Sequence, residues 1–189
     1  MCEMPPCLTE VALEELLGNR LLYLYYWGFV RSLNLKGNER ILEFGSGGGL
    51  CSRHLAEALS RGGSLTCVDI SPYWMDKARD RLLSYPNVQF RLGNLGSLDL
   101  PDAGYDSIVI HFVLHDLQLP SREEILRLLS KKLKRRGTIF IREPIKPDHG
   151  IPVSEILALM HGARLKRLRS STRSLMVMGT VFDGVFRKR

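Results

Sequence analysis

The part of the sequence best suited to binding a ligand is a glycine-rich loop, with one acidic residue directly before it and another at the end of the next apolar run. In I-L-E-F-G-S-G-G-G-L-C, Gly45, Gly47 and Gly49 follow an apolar run typical of a strand and precede a helical pattern. Glycines in this place permit a tight turn and let a ligand touch bare backbone, while the helix start offers unpaired N–H donors. Asp69 ends the next apolar run, where its carboxylate can accept two hydrogen bonds from ribose hydroxyls. The pattern predicts a nucleotide-type ligand, and capping of the following helix is the alternative role of Asp69.

The acid in front of the loop, Glu43, distinguishes between two classes of such ligands. Dinucleotide oxidoreductases usually carry G-x-G-x-x-G, whose third glycine packs the helix against the strand. Here that position is Leu50. A carboxylate at residue 43 would repel a pyrophosphate but suits a ligand that carries an amine. A dehydrogenase is therefore the less favoured interpretation.

The loop and the acid need parallel strands that end at one edge of a sheet, and the chain pattern provides them. From residue 39 onward, short apolar runs alternate with longer helical patterns, which predicts an α/β fold with helices on both faces of a parallel sheet. The last two runs have only a short link, so they must form an antiparallel hairpin. The predicted strands are 40–44, 64–70, 88–92, 107–112, 138–142, 164–173 and 175–187. The predicted helices are 50–60, 73–84, 122–134 and 152–161, preceded by one that starts at Thr9 and continues to about residue 30.

Length and composition limit the class of protein. The 189 residues predict one domain, and 44% hydrophobic with 25% charged residues exclude disordered, collagen-like and coiled-coil chains. No apolar run reaches the roughly 18 residues of a membrane helix. The first residues lack a secretory signal pattern, so we expect a cytoplasmic location. Cys2, Cys7, Cys51 and Cys67 are too few and too scattered for a disulfide framework or a tetrahedral metal site, and are expected to be free thiols.

The positive charge of the chain, +7 with a pI near 9.4, is unevenly distributed. Basic residues gather at 131–136, 164–173 and 187–189. Solvated helix and strand faces with a frayed C-terminus are the favoured explanation. A nucleic acid, an anionic membrane surface or an acidic substrate is the alternative.

These features together resemble the class I S-adenosylmethionine-dependent methyltransferases, from about residue 39 to the end. The family's E/D-x-G-x-G-x-G loop matches residues 43–49, its second-strand acid matches Asp69, and V-D-I-S-P-Y-W-M-D-K-A-R is similar to its D-x-S-x-x-M-x-x-A-R. The resemblance implies a Rossmann-like, doubly wound, three-layer fold with a seven-stranded sheet, mostly parallel with an antiparallel last strand. It also implies S-adenosylmethionine as the cofactor. The implied cofactor-binding residues are Glu43, Gly45, Ser46, Gly47, Gly49, Asp69, Ile70, Met75, Asn94, Leu95 and His111.

The resemblance also assigns parts of the cofactor to parts of this chain. It places the methionine moiety in the glycine loop, the ribose at Asp69, and the adenine beside Ile70 and Met75. Asn94 stands where the family usually has an aspartate that accepts from the adenine amino group. An asparagine carbonyl can still accept that bond, although the contribution of charge is lost. Leu95 would donate its backbone N–H to the ring.

No residue is a clear catalyst, because methyl transfer depends mostly on positioning the two reactants. His111, at the end of the fourth strand, is the first candidate for a general base, and contact with the cofactor or simple packing is its favoured alternative role. His115 with Asp116 is a second candidate. Glu143 could face the same site or pair with Arg142 or Lys146.

The absence of certain motifs limits the chemical class of the methyl acceptor. The fourth strand has no N-P-P-Y or D-P-P-Y exit, and no cysteine pair for cytosine methylation is present. Residues 1–38 are expected to form a helical lid segment, rich in aromatic residues, over a methyltransferase domain at 39–189. We therefore expect a small-molecule acceptor, as in the quinone-biosynthesis C-methyltransferase group. An RNA or protein methyltransferase and a non-catalytic cofactor-binding subunit are the alternatives, and the oligomeric state is left open.

Overall fold

Strands and helices alternate along the chain in the computed structural model, which describes residues 18–146, 150–175 and 179–189. The strands are β1 Arg40–Phe44, β2 Ser64–Asp69, β3 Val88–Leu92, β4 Tyr105–His111, β5 Leu133–Pro144, β6 Leu165–Leu175 and β7 Gly179–Lys188. The helices are α1 Gly18–Ser32, α2 Leu50–Ala58, α3 Pro72–Arg81, α4 Leu119–Lys132 and α5 Val153–Gly162. The predicted helical start at Thr9 lies outside the described residues.

The described strands form one sheet in the order β3-β2-β1-β4-β5-β7-β6. Strands β1 to β5 are parallel, whereas β7 is antiparallel to both β5 and β6. The predicted mostly parallel sheet with a reversed last strand is therefore confirmed. The strand order changes direction at β1 and β4, which is where ligands bind in open α/β sheets, at the carboxyl ends of the strands.

Helices cover both faces of the sheet, which confirms the three-layer prediction. Alternate residues of a strand point to opposite faces. On one face Ile41 and Phe140 pack with Phe29 of α1 and Leu55 of α2. On the other face the strands pack against α4 and α5, in a cluster that includes Leu42, Ile108, Ile139, Leu126 and Met160.

Several element boundaries differ from the predicted ones by a few residues, and two of these differences have a local cause. Helix α4 begins at Leu119 instead of residue 122, because Pro120 occupies its first turn, where a missing N–H costs nothing. Strand β5 begins at Leu133 instead of residue 138, since residues 134–137 form an irregularity in its pairing with β4 and Arg136 adopts a φ of 62°. The basic run at residues 131–136 has the composition of an exposed helix face, which is why the predicted helix extends to residue 134. Among the described residues, no helix is long and apolar enough to cross a bilayer.

Candidate active site

The glycine loop and Asp69 meet at the carboxyl edge of the sheet, as predicted. The backbone N–H groups of Gly45 and Ser46 donate to the carbonyl of Val68 at 2.8 and 3.1 Å, which fixes the loop against β2. Gly47 N–H donates to Oδ2 of Asp69 at 2.8 Å. Gly47 has a φ of +51°, a left-handed conformation that favours glycine.

The glycines of the loop serve different purposes. A Cβ on Gly45 would lie 2.4 Å from Cγ2 of Val113, and one on Gly49 would lie 3.1 Å from Cα of Ala78, so both positions need glycine for packing. A Cβ on Gly47 would have no neighbour within 4 Å. The open space of the loop therefore lies at Gly47, where a ligand can approach the backbone.

Asp69 is not the cap of the following helix. Ser71 caps α3, accepting from the N–H of Trp74, while Oδ1 of Asp69 accepts from the N–H of Ser71 at 2.9 Å. Each carboxylate oxygen holds one backbone N–H and keeps further acceptor capacity for a ligand. The carboxylate is only partly exposed, so the geometry fits the predicted role better than the capping role.

The predicted adenine-contacting residues lie in different environments. Ile70 is 70% exposed at the end of β2, whereas Met75 is fully buried within α3. Asn94 is exposed and its Oδ1 accepts from the N–H of Gly96 at 3.1 Å, which starts a short 3-10 turn that contains the buried Leu95. Ile70 and Asn94 are therefore accessible to a ligand, whereas Met75 supports this part of the site from within the core.

Glu43 is a buried acid at the floor of the site. It is 1% exposed, and its Oε2 accepts from Oγ of Ser52 at 2.5 Å and lies 3.8 Å from Sγ of Cys67. Burial raises the pKa of Glu43 to about 7, against the lowering effect of the hydrogen bond from Ser52. Burial, with the nearby Glu43, also raises the pKa values of Cys51 and Cys67 well above the usual value. Both cysteines are buried free thiols, and Cys2 and Cys7 lie outside the described residues.

His111 ends β4 inside an aromatic enclosure. Its ring centroid lies 4.5 Å from that of Phe112 and 4.7 Å from that of Phe29, with Tyr26 at 5.0 Å and Tyr25 at 5.9 Å. Burial, and then the charge of the nearby Arg142, lowers the pKa of His111 well below its usual value. The ring is therefore neutral near pH 7 and a weak proton acceptor.

A buried ion pair, which sequence reasoning did not find, supports this enclosure. Arg142 is 2% exposed and donates through Nε and Nη2 to the two carboxylate oxygens of Asp183 at 2.6 and 3.0 Å. Its guanidinium lies 4.5 Å from the ring centroid of Phe29 and 5.2 Å from that of Tyr25. Burial raises the pKa of Tyr25 to about 12. In the sequence, the feature that could have indicated this ion pair is the position of Arg142 at the end of an apolar strand.

Glu143 holds the loop that leaves β4, instead of pairing with Arg142. It is fully buried, and its Oε1 accepts from the N–H groups of Val113 and Leu114 at 2.9 and 2.8 Å. Its Oε2 lies 2.8 Å from Nδ1 of His115, whose Nε2 lies 3.3 Å from a carboxylate oxygen of Asp116. The second predicted histidine is therefore oriented by two carboxylates.

Two buried polar atoms near the loop have no hydrogen-bond partner in the described part of the chain. They are Oγ of Ser46 and Nε2 of His111, both in residues less than 10% exposed. Buried polar atoms are rarely left unpaired, so a polar ligand bound at this edge of the sheet could satisfy them. With the carboxylates of Glu43 and Asp69 on either side, these groups suit an amino acid joined to a nucleoside.

A family model described as a methyltransferase domain matches residues 42–139, from β1 into β5. The chain belongs to the class I S-adenosylmethionine-dependent methyltransferases. The match includes the glycine loop, Asp69, Asn94 and the candidate residues His111 and His115, so the resemblance inferred from the sequence is confirmed. S-adenosylmethionine is the cofactor of this family, and the unpaired atoms and open loop described above fit it.

Two proteins that are similar to this chain are methyltransferases named for different methyl acceptors. A demethylmenaquinone methyltransferase from Tropheryma whipplei (strain Twist) is 33% identical over 87 residues, covering 46% of this chain and 35% of its own. A protein-L-isoaspartate O-methyltransferase from Dictyoglomus thermophilum is 35% identical over 97 residues, covering 50% of this chain and 42% of its own. The match thus spans less than half the length of either relative.

A solved structure confirms the fold of this methyltransferase. The crystal structure of a SAM-dependent methyltransferase from Aquifex aeolicus has a TM-score of 0.73 and 20% identity, covering 91% of this chain and 94% of the other. At that identity the similarity concerns the fold.

Proposed function

We propose that this protein transfers the methyl group of S-adenosylmethionine to a small, largely apolar molecule. The observation that carries the proposal is the aromatic enclosure of Tyr25, Tyr26, Phe29 and Phe112 at the end of β4, on the sheet edge that holds the glycine loop. Flat aromatic faces bind apolar or cationic molecules. Similarity to a demethylmenaquinone methyltransferase supports the same class of acceptor.

The predicted cofactor residues would divide the ligand between them. Glu43, Ser46 and His111 would hold the amino acid part, with Gly45, Gly47 and Gly49 supplying backbone contact and space. Asp69 would accept from the ribose hydroxyls, and Ile70, Asn94 and Leu95 would surround the adenine with support from Met75. When bound, the cofactor supplies a methyl group on a positively charged sulfur, ready for in-line displacement.

The chain positions the acceptor and, where the acceptor must lose a proton, takes that proton. His111 is the weaker choice because burial and Arg142 oppose its positive charge. His115 is the better choice, since Glu143 orients its ring and a carboxylate stabilises the charge that develops on proton uptake. We therefore assign His111 to ligand contact and His115 to proton transfer.

Helix α1 forms part of the acceptor wall. Its residues Tyr25, Tyr26 and Phe29 lie against His111 and Arg142, so the segment covers the ends of β4 and β5. This supports the interpretation of residues 1–38 as a segment that closes the site, with residues 1–17 outside the described part. Water excluded by the aromatic rings would otherwise compete with the acceptor.

Calorimetric titration with S-adenosylhomocysteine tests the cofactor site, with NADH as the control ligand. Asp69→Ala should weaken binding by about 2–4 kcal/mol, because two hydrogen bonds to a charged acceptor are lost. Asp76→Ala is the matched control, since Asp76 is exposed on α3 and pairs with the neighbouring Arg79 of the same helix. Equal binding by both variants would contradict the ribose assignment.

Transfer of a labelled methyl group tests the reaction itself. Wild-type protein is incubated with labelled S-adenosylmethionine and a panel of phenols, quinols and amines, and label is counted in the organic extract. His115→Gln should lower product formation by about 100-fold or more with S-adenosylhomocysteine affinity unchanged. Cofactor binding without transfer to any acceptor in the panel would favour the non-catalytic subunit.

A further inference from the structure

The C-terminal hairpin of β6 and β7 carries the whole net charge of the protein. Residues 164–189 contain eight lysines and arginines against one aspartate, a formal charge of +7 that equals that of the entire chain. The preceding 163 residues contain 19 basic and 19 acidic residues and are neutral overall. The positive field of the molecule therefore originates at one edge of the sheet.

Strand β6 is exposed on both faces. It is the edge strand, and every residue from Lys166 to Ser174 is exposed, whereas strands that pack in a core bury alternate side chains. Core packing therefore does not account for the composition of β6.

The cations of the hairpin are mostly not neutralised. Arg173 pairs with Asp183 at 2.5 Å, and Arg169 donates to the carbonyl of Ser32 at 2.9 Å, which leaves its charge unbalanced. Within the described residues, six exposed cations of the hairpin form no ion pair with a carboxylate: Arg164, Lys166, Arg167, Arg169, Arg187 and Arg189. Their charge is available to a partner.

Hydroxyl groups lie between these cations. The sequence of β6 from residue 169 reads R-S-S-T-R-S, and its four hydroxyl side chains are all exposed. A groove of about 170 Å³ runs beside the strand, and its lining includes Arg169, Ser170, Ser171 and Arg173 together with Asp183 and apolar residues of α1, β5 and β7. Guanidinium and hydroxyl groups are the side chains that most often donate to phosphate oxygens.

The same surface argues against two other partners. Pairing of β6 with a second copy of the strand would bring two strands of like charge together, which is destabilising. Insertion into a bilayer needs apolar side chains, and Leu168 is the one large hydrophobic residue exposed on the described hairpin. We infer that β6 binds the phosphate backbone of a nucleic acid, a function separate from methyl transfer.

Fluorescence anisotropy with a labelled single-stranded RNA oligonucleotide tests the inference, measured from 50 to 200 mM salt. Six phosphate contacts give a logarithmic salt slope of about −4, so affinity should fall about 300-fold over that range. The variant Lys166→Gln/Arg167→Gln/Arg169→Gln should have a slope of about −2 and lose only about 20-fold.

The matched control removes three exposed cations elsewhere, with Arg61→Gln/Arg79→Gln/Arg91→Gln, and has the same net charge. It should bind RNA with the wild-type slope, and S-adenosylhomocysteine affinity should be equal in both variants, which shows that both are folded. A charge-retaining variant, Arg167→Lys/Arg169→Lys, should keep the slope. Absence of binding, an equal loss in the two triple variants, or tighter binding to vesicles of anionic lipid than to RNA would each overturn the inference.

Discussion

The buried acid Glu43 gives the most direct test of the electrostatics of the site. Its carboxylate is 1% exposed and has the hydroxyl of Ser52 as its main donor. Burial raises the pKa of Glu43 from 4.5 to about 7 in the folded protein. In the unfolded chain the group regains its ordinary pKa, so folding and proton binding are linked.

The sign and size of this linkage follow from the two pKa values. Because the folded state holds the proton more tightly, the stabilising contribution of Glu43 is fully present below pH 4.5 and is lost as the pH rises through about 7. At 1.36 kcal/mol for each unit of pKa, the full difference is about 3 kcal/mol, most of which falls between pH 5 and 8.

Substitution of Glu43 by Gln isolates the effect. An amide does not titrate, and its carbonyl can still accept from Ser52. The free energy of unfolding from urea titrations at pH 5, 6, 7 and 8 is compared for Glu43→Gln and wild type. The variant should gain about 2 to 3 kcal/mol relative to wild type between pH 5 and 8. Other titrating groups, including His54 and His111, are present in both proteins and cancel in the difference.

Parallel pH profiles for the two proteins would refute the reasoning, because they would mean that the carboxyl of Glu43 is already ionised in the fold at low pH. The proposed site adds a second readout. An ammonium group of the cofactor beside Glu43 favours the carboxylate, so wild-type affinity for S-adenosylhomocysteine should rise from pH 5 to 8 more than that of Glu43→Gln. Equal pH dependence would place the amine elsewhere.

Three further substitutions test the packing around the site. Gly45→Ala should lower the free energy of unfolding by about 2 kcal/mol, since its Cβ would clash with Val113 at a left-handed φ, and urea titration measures this. Asp183→Ala should cost about 3 kcal/mol by the same assay because it leaves the buried charge of Arg142 without its partner; a loss below 1 kcal/mol would contradict that pairing. Glu143→Ala should lower the free energy of unfolding by about 2 kcal/mol and accelerate hydrogen exchange at residues 113 and 114, whose N–H groups donate to the carboxylate of Glu143. Unchanged exchange would contradict the role of Glu143 in holding the loop.

Local patterns were enough to predict the fold and the meeting of the glycine loop with Asp69 at one edge of the sheet. The glycine loop, Asp69 and the alternation of strands with helices each depend on residues close together in the chain, where spacing sets backbone conformation and face. The reversed β7 followed from the short link to β6. The irregular start of β5 was missed because it depends on its pairing with β4, which no local pattern records.

The sequence by itself therefore determined the class of fold and the family, and it predicted the residues that would hold the cofactor, because all of these depend on short, local motifs. Only the tertiary structure decided what the isolated polar residues do. Arg142 meets Asp183 across 41 positions, and Glu143 meets His115 across 28, through the register of neighbouring strands and the path of one loop. Burial then decides their charge, because the pKa of a side chain depends on how much water and which charges the fold leaves around it.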